Sequence, residues 1–438
     1  MREITFAYTH ADQMGYGRMG LELHRSLTRQ GVDVYDLSPA PLDGSKTTNV
    51  AVWASYPTHV RGWMESQHAV IFTMFETTAL PEAFRATLPN FDQVLVPSEQ
   101  NRELFAKFHP NVECVPLGID PERWHYTPRQ EPIHEFRFMV GGSGERKGGD
   151  LAHAAFRKVF GSRRLDPAPV LVVKSPKPAD FYGENVRVVT GFLSSEEEVA
   201  LYASAHCYLQ PSRGEGFGLQ PLQAIAQGCP TILTGAHGHA GFAHLGVPLS
   251  SRLVPSGYFG IAGRGGAGEW WEPDLDELCE AMEAVYADYP AAVEKARHSA
   301  ATVAETFTWD RSALRMIEAI GPDRLSIPYA GSGQWFEPKE DHFLTRVLRN
   351  YGAEIAGASF QWEAGRDYYE TADIKRVLLE ADVLDPSCLD YESMGIPAEK
   401  AEAYSARHAY CYACHQKLGT GLTKADEIFA QLESEASR

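Results

Sequence analysis

The residues with the most chemical promise lie in RGEGFGLQPLQAIAQGCPTILT, residues 213–234. Glu215 stands between Gly214 and Gly216, Gly218 follows Phe217, and Pro221 sits where the first turn of a helix tolerates a missing N–H. The apolar run after it fits a helix to about Gln227, closed by Gly228 as a left-handed cap. A helix start preceded by glycines leaves N–H groups free at the positive end of the helix dipole, which suits a phosphate. A plain strand–turn–helix connection would explain the glycines alone. Glu215 argues for more, because a carboxylate among anion-binding amides is unfavourable unless it meets hydroxyls or a cation. A sugar nucleotide offers both a diphosphate and hydroxyls, and Gln223, farther along the helix, can hydrogen-bond a ribose diol.

Three further loops carry candidates. In FRFMVGGSGERKGGDLAHAAF a strand ends at Gly141 and Gly142, the turn holds Arg146 and Lys147, and a helix begins after Gly149. Cations at the carboxyl end of a strand would neutralise a diphosphate leaving group, although such a turn is most often simply solvated. TFAYTHADQMGYGRMGLELHRSL gives Gly15 and Gly17 a strand–loop–helix setting in which backbone can approach a phosphate or sugar; helix packing explains the pair equally well. His10, directly after the strand, reads as structural. VIFTMFETTALPEAF puts Glu76 at the end of an apolar strand, either as a site carboxylate on a cleft rim or as a helix cap or salt-bridge partner. Thr77 and Thr78 would bind a substrate hydroxyl or cap the next segment.

The elements that must position these residues are legible as ten short β-branched or apolar strings: ITFAYT, VDVYDL, VAVWAS, AVIFTMF, QVLVPS, FRFMVGG, PVLVVKS, VRVVTGF, CYLQPS and PTILT. Helix-like stretches such as SSEEEVALYASA alternate with them, which predicts an α/β class with parallel sheets wound by crossover helices. Ten strands are many for one sheet, and the pattern restarts near Phe136 after the polar, Pro-rich IDPERWHYTPRQEPIHE. Two doubly wound Rossmann-like domains are therefore expected, at about residues 1–130 and 131–320, facing a cleft at the carboxyl ends of their strands. A break at GPDRLSIPYAGSGQWFEPKED ends the strand pattern, and residues 321–438 read as a mainly helical appendage.

At 438 residues, 44% apolar and 22% charged, the chain has the composition of a folded soluble protein. The formal net charge of −18 disfavours non-specific binding to nucleic acid or anionic membrane, without excluding a local basic groove. No apolar run approaches the ~18 residues of a membrane span, and MREITFAYTHAD lacks the pattern of a secretory signal, so a cytosolic location is expected. Cys114, Cys207, Cys229 and Cys279 lie among apolar neighbours and read as free thiols.

Taken together, VPSEQNRELFAKF, VECVPLGIDPERW, RKGGDLAHAAF, PSRGEGFGLQPLQAIAQGCPTILT, WWEPD and TFTWDRSALRMI resemble the retaining GT-B glycosyltransferases of the group 1 type, in order and spacing, over roughly residues 1–320. The resemblance implies a nucleotide-sugar donor, most often a UDP- or GDP-sugar, held mostly by the second domain, with the acceptor mostly on the first. It implies that Lys147 and Arg146 contact the donor diphosphate and Glu215 the transferred sugar. The amides of Phe217, Gly218 and Leu219 would lie against sugar and phosphate, with Gly15 and Gly17 closing from the opposite side. Glu76 falls where many relatives keep a catalytic-site His. It also implies attack from the face that the diphosphate leaves, with no organic cofactor. Two departures stand out: the family's second glutamate is Gln223 here, and the arginine that commonly follows the strand glycine is Gly142. Gln keeps an acceptor oxygen but not the charge.

Outside the resemblance, RHAYCYACH sets His408, Cys411, Cys414 and His415 together, with Cys388 upstream. Cys388, His408, Cys411 and Cys414 could hold a structural zinc; the alternative is unliganded thiols, and covalent haem at Cys-x-x-Cys-His is disfavoured without an export signal. Two functions stay open: a glycosyltransferase whose acceptor is a glycan, a small molecule or a modified nucleobase in DNA, and a nucleotide-sugar-binding adaptor without turnover.

Overall fold

Strands β1 (Arg2–Tyr8), β2 (Val32–Asp36), β3 (Val50–Ala54), β4 (Trp63–Met64), β5 (His68–Phe72), β6 (Gln93–Val96) and β7 (Val112–Cys114) alternate with helices α1 (Gly15–Arg29), α2 (Glu82–Thr87) and α3 (Glu99–Phe105). The structure is a computed structural model describing residues 2–9, 15–36, 47–57, 60, 63–64, 67–129, 133–175, 181, 183–257, 268–331 and 335–336. Six of these strands form a parallel sheet in the order β2-β1-β3-β5-β6-β7. Every residue of central β3 is buried, as expected of a strand covered on both faces. Helix α1 docks through Met19, Leu23 and Leu27, one turn apart, and Gly20 lets it settle on Tyr8, whose Cβ would be 2.3 Å from any Cβ there.

The second half repeats the plan. Strands β8 (Glu135–Gly141), β9 (Ala168–Ser175), β10 (Val186–Thr190), β11 (Cys207–Gln210), β12 (Thr231–Thr234) and β13 (Val247–Leu249) form a parallel sheet in the order β10-β9-β8-β11-β12-β13. It is wound by α4 (Gly149–Phe160), α5 (Ser195–Ala203) and α6 (Leu219–Ala226). Ser194 starts α5 with a complete capping box to Glu197. Helix α6 is buried from Pro221 to Ala226 and is followed by Gly228 at φ +71°. All ten apolar strings are strands; β7 and β13 add a short edge to each sheet.

An antiparallel ribbon of β14 (Ser251–Pro255) and β15 (Glu269–Pro273) precedes α7 (Leu275–Ala287), α8 (Tyr289–Thr306) and α9 (Trp309–Ile320). A last short strand, β16 (Trp335–Phe336), pairs with β4. Helix α9 crosses back to the first sheet and lies along α1. Ser312 donates to the Pro116 carbonyl (2.7 Å), Gln93 donates to the Ala319 carbonyl (2.8 Å), and Arg29 pairs with Asp310 (2.7 Å). Where the chain recrosses, Ile119 N–H donates to the Phe307 carbonyl (2.8 Å) and Trp309 N–H to the Ile119 carbonyl (3.2 Å). Gly118 permits this approach, since a Cβ there would stand 2.2 Å from the Thr308 carbonyl carbon.

Trp309 is 3% exposed, whereas Leu314 on the same helix is 51% exposed. Trp309→Ala should therefore cost ~3–5 kcal/mol and Leu314→Ala no more than ~0.5 kcal/mol, read as shifts of the thermal unfolding midpoint. Equal shifts would refute the docking of α9 described here.

Candidate active site

Two neighbouring strand ends of the second sheet build the site. Beyond β8, Gly142 adopts φ +127° and its missing side chain admits the Lys147 stem, whose Cβ would lie 2.8 Å from a Cβ at 142. A 3₁₀ turn, Glu145–Lys147, then leads into α4 through Gly148 at φ +74°. Beyond β11, the 212–218 loop enters α6 through Gly218 at φ +107°, with no side chain capping the helix. A helix opened in this way leaves N–H groups available to a ligand.

Arg213 holds the two loops together. Its guanidinium binds Asp150 through two bonds of 2.9 Å, the Glu145 carbonyl at 2.6 Å, and both oxygens of Glu272 on β15. Its own N–H donates to the Arg146 carbonyl (2.7 Å), and its carbonyl accepts from Trp271 (2.8 Å). These carboxylates outweigh the effect of burial and raise its pKa further. Arg213 is thus spent on internal bonds, leaving Arg146 and Lys147 as the cations turned to the cluster beside it.

Glu215 is buried, with Lys147 Nζ 2.6 Å from Oε1 and Arg146 Nη1 3.5 Å from Oε2. Burial raises a carboxyl pKa, but the two cations prevail and hold this one at about 2. Burial in turn lowers the Lys147 pKa, against the pull of Glu215. Arg146 also donates to the Gly214 carbonyl (2.6 Å) and stands 4.0 Å from Glu76 Oε1. Glu76 is buried, and its Oε2 has no hydrogen-bond partner among the described residues. Burial lifts its pKa against the attraction of Arg146, and Glu215 adds to the rise.

Glu76 reaches this cluster from the other half because glycine leaves room for it. A Cβ at Gly214 would lie 2.0 Å from the Glu76 carbonyl oxygen, and one at Gly216 would lie 2.5 Å from Met74 Sδ. Glu76 does not cap α2, whose N-cap is Pro81. Thr77 bonds the Ala79 carbonyl (3.0 Å), and Thr78 accepts from Glu269 N–H (2.8 Å), so both hydroxyls are engaged in the fold. Gly15 and Gly17 occupy the first turn of α1, with Gly15 exposed and Gly17 buried. Between them, the Tyr16 hydroxyl accepts from Met74 N–H (3.0 Å), which sets this helix start beside the Glu76 segment. A second tie between the halves runs through buried Glu198, bound by Arg18 (2.8 Å) and Lys174 (3.0 Å).

Leu219 opens α6, and the Phe217 ring packs on Phe242 at 5.4 Å, so its side chain belongs to the core. Gln223 is buried in α6, its Oε1 without a partner among the described residues. His10 lies outside the described residues, as do Cys388, His408, Cys411 and Cys414. Among the described residues no group of three or more His, Cys, Asp or Glu is placed to hold a metal ion, and no helix is long and apolar enough to cross a membrane.

Sequence reasoning singled out neither Arg213 nor the His237–His239 turn that follows β12. Its rings lie 4.5 Å apart, His237 adopts φ +46°, and Gly238 N–H donates to the Glu215 carbonyl (3.0 Å). The available signal was AHGHAG, two histidines directly after a strand that ends at the cleft.

Two parallel six-stranded sheets, with this cluster at the carboxyl ends of their strands, define the GT-B architecture of glycosyltransferases. Sucrose-phosphate synthase from Thermosynechococcus elongatus shares the fold over 73% of this chain and 98% of its own, at 16% identity and a TM-score of 0.52. HepE of Anabaena, solved in complex with UDP and glucose, does so over 73% and 99%, at 12% identity and a TM-score of 0.50. Residues 97–316, half of the chain, match the model of the family 4 glycosyltransferases in conflict systems, and the chain belongs to that family. Alpha-monoglucosyldiacylglycerol synthase of Streptococcus pneumoniae is 26% identical over 197 residues, 40% of this chain and 43% of its own length. A protein of Sulfolobus islandicus filamentous virus that carries a provisional glycosyltransferase name is 23% identical over 189 residues, 42% of this chain and 51% of its own. The chain thus spans about half the length of the curated relatives it matches.

Burial holds the His237 pKa at about 4, below its usual 6.5. The unfolded chain therefore takes up this proton first, and the stability from the neutral ring, complete above pH 6.5, drains away as pH falls through about 4. His237→Asn, which tolerates the left-handed backbone, should flatten the pH dependence of unfolding in this window by ~1.4 kcal/mol per pH unit. Parallel curves for the two proteins would contradict a neutral buried imidazole.

Proposed function

We propose that this chain is a retaining glycosyltransferase that moves a sugar from a nucleotide-sugar donor to a hydroxyl acceptor. The observation that carries the reading is the convergence of Arg146, Lys147 and the uncapped start of α6 on Glu215, at the mouth between the halves. Residues 1–130 serve as the acceptor side, 131–320 as the donor side, and 321–438 as an appendage. A UDP- or GDP-sugar fits, and HepE's complex with UDP makes UDP-sugars the first probes.

Lys147 and Arg146, with the amides of Phe217, Gly218 and Leu219, hold the diphosphate and stabilise the charge that builds on it as it departs. Glu215 accepts from hydroxyls of the transferred sugar, and Gln223 Oε1 accepts from the ribose, which would satisfy an oxygen buried without a donor among the described residues. Gly15 and Gly17 close on the diphosphate from the opposite side, and Glu76 faces the incoming hydroxyl. The bond from the anomeric carbon to the phosphate oxygen breaks, the bond to the acceptor oxygen forms on the same face, and the acceptor proton leaves on the released diphosphate. No metal is called for by these steps. The acceptor is a glycan, a small molecule or a modified nucleobase; the charge of −18 makes bulk nucleic acid the least favoured.

Incubation with UDP-, GDP- and ADP-sugars should release nucleoside diphosphate slowly by donor hydrolysis. Lys147→Ala should lower kcat/KM for that release by ~10²-fold, the scale of losing one transition-state donor. Binding without any release would instead identify an adaptor. A Glu215→Ala protein with full activity would remove Glu215 from the site.

A further inference from the structure

The 237–239 turn packs on the entrance to α6. His239 Nδ1 lies 3.2 Å from the Thr234 carbonyl and His237 Nε2 lies 3.0 Å from the Ser212 carbonyl. A carbonyl only accepts, so these two nitrogens carry the ring protons. The other nitrogen of each ring, His239 Nε2 and His237 Nδ1, is then a bare acceptor, buried and without a hydrogen-bond partner among the described residues. Burial keeps both rings neutral by pushing their pKa values down. A buried acceptor with no donor is costly and rare, which points to a ligand that brings one.

Position selects between the two rings. A Cβ at Gly218, the residue that opens α6, would stand 2.6 Å from His239 Nε2, so that nitrogen borders the proposed anion site. Gly238 fixes the turn to the same loop, since a Cβ there would lie 2.5 Å from Phe217 N. His237, strained at φ +46° with its ring 5.6 Å from Trp271, holds the turn in place. Strain of this kind persists where surrounding structure enforces it and often accompanies function.

We propose that His239 reads the transferred sugar: its Nε2 accepts a hydrogen bond from a hydroxyl of the glycosyl group. A phosphate oxygen cannot take that place, because both atoms would be acceptors. The proposal rests on the donor-site reading above, and His239 adds to it a contact that a nucleoside diphosphate without its sugar does not make.

Titration calorimetry with UDP and UDP-glucose, and with GDP and GDP-mannose, tests it on the full chain. For the pair that binds, His239→Leu should weaken the nucleotide sugar by ~10-fold and the nucleoside diphosphate by less than ~2-fold, while His239→Gln should recover part of the loss. Deoxyfluoro sugar nucleotides give a check on the unaltered protein, since fluorine cannot donate. One ring position should lose ~10-fold with wild type and nothing further with His239→Leu, which has no acceptor to lose. Equal weakening of sugar nucleotide and nucleoside diphosphate, or no hydroxyl whose replacement matters, overturns the assignment and leaves the donor site standing. Failure of every nucleotide to bind overturns both.

Discussion

Arg146 and Lys147 stand where water reaches them poorly, and cations so placed need anions within a few ångströms. Glu215 supplies the first and Glu76 the second, one from each half of the molecule. Neighbouring backbone is shaped by that demand. Gly142 makes room for the lysine stem, and Gly214 and Gly216 let the two halves touch so that Glu76 comes within range. In the donor-bound state proposed above, a diphosphate competes with these carboxylates for the same two cations. On that reading the internal pairs stand in for the diphosphate and hold the two side chains oriented.

Arg213 has a different task from its two basic neighbours. Its five N–H groups are matched by Asp150, Glu272 and a main-chain carbonyl, and it ties three separate stretches of chain into one platform. A rigid platform is what allows the Arg146 and Lys147 side chains to be aimed at all. The work is divided between a structural arginine that is fully engaged and two cations that face Glu215.

Much of the fold was legible because its central strands, such as β3 and β6, are buried on both faces and appear as apolar strings. β7 and β13 escaped notice for a physical reason: each is a three-residue edge strand, and β13 contains Pro248, tolerated only because it lies on the rim. Glu215, Lys147 and Arg146 could be found from glycine spacing and charge. The nearness of Glu76 to Arg146 could not, because it depends on how the halves face one another and not on any local pattern. The two histidines of the 237–239 turn look ordinary in sequence. Which ring nitrogen of each is already used depends on the carbonyls of Ser212 and Thr234, which the fold brings beside them.

The chain passes between the halves near Ile119 and returns near Thr308, and those two passages are hydrogen-bonded side by side. Twin crossings at a single spot act as a pair of pins in one joint. Strands of chain pinned to each other in this way oppose any slide of one half past the other. The register between the halves is thereby fixed at its base, and the 4.0 Å approach of Glu76 to Arg146 depends on it.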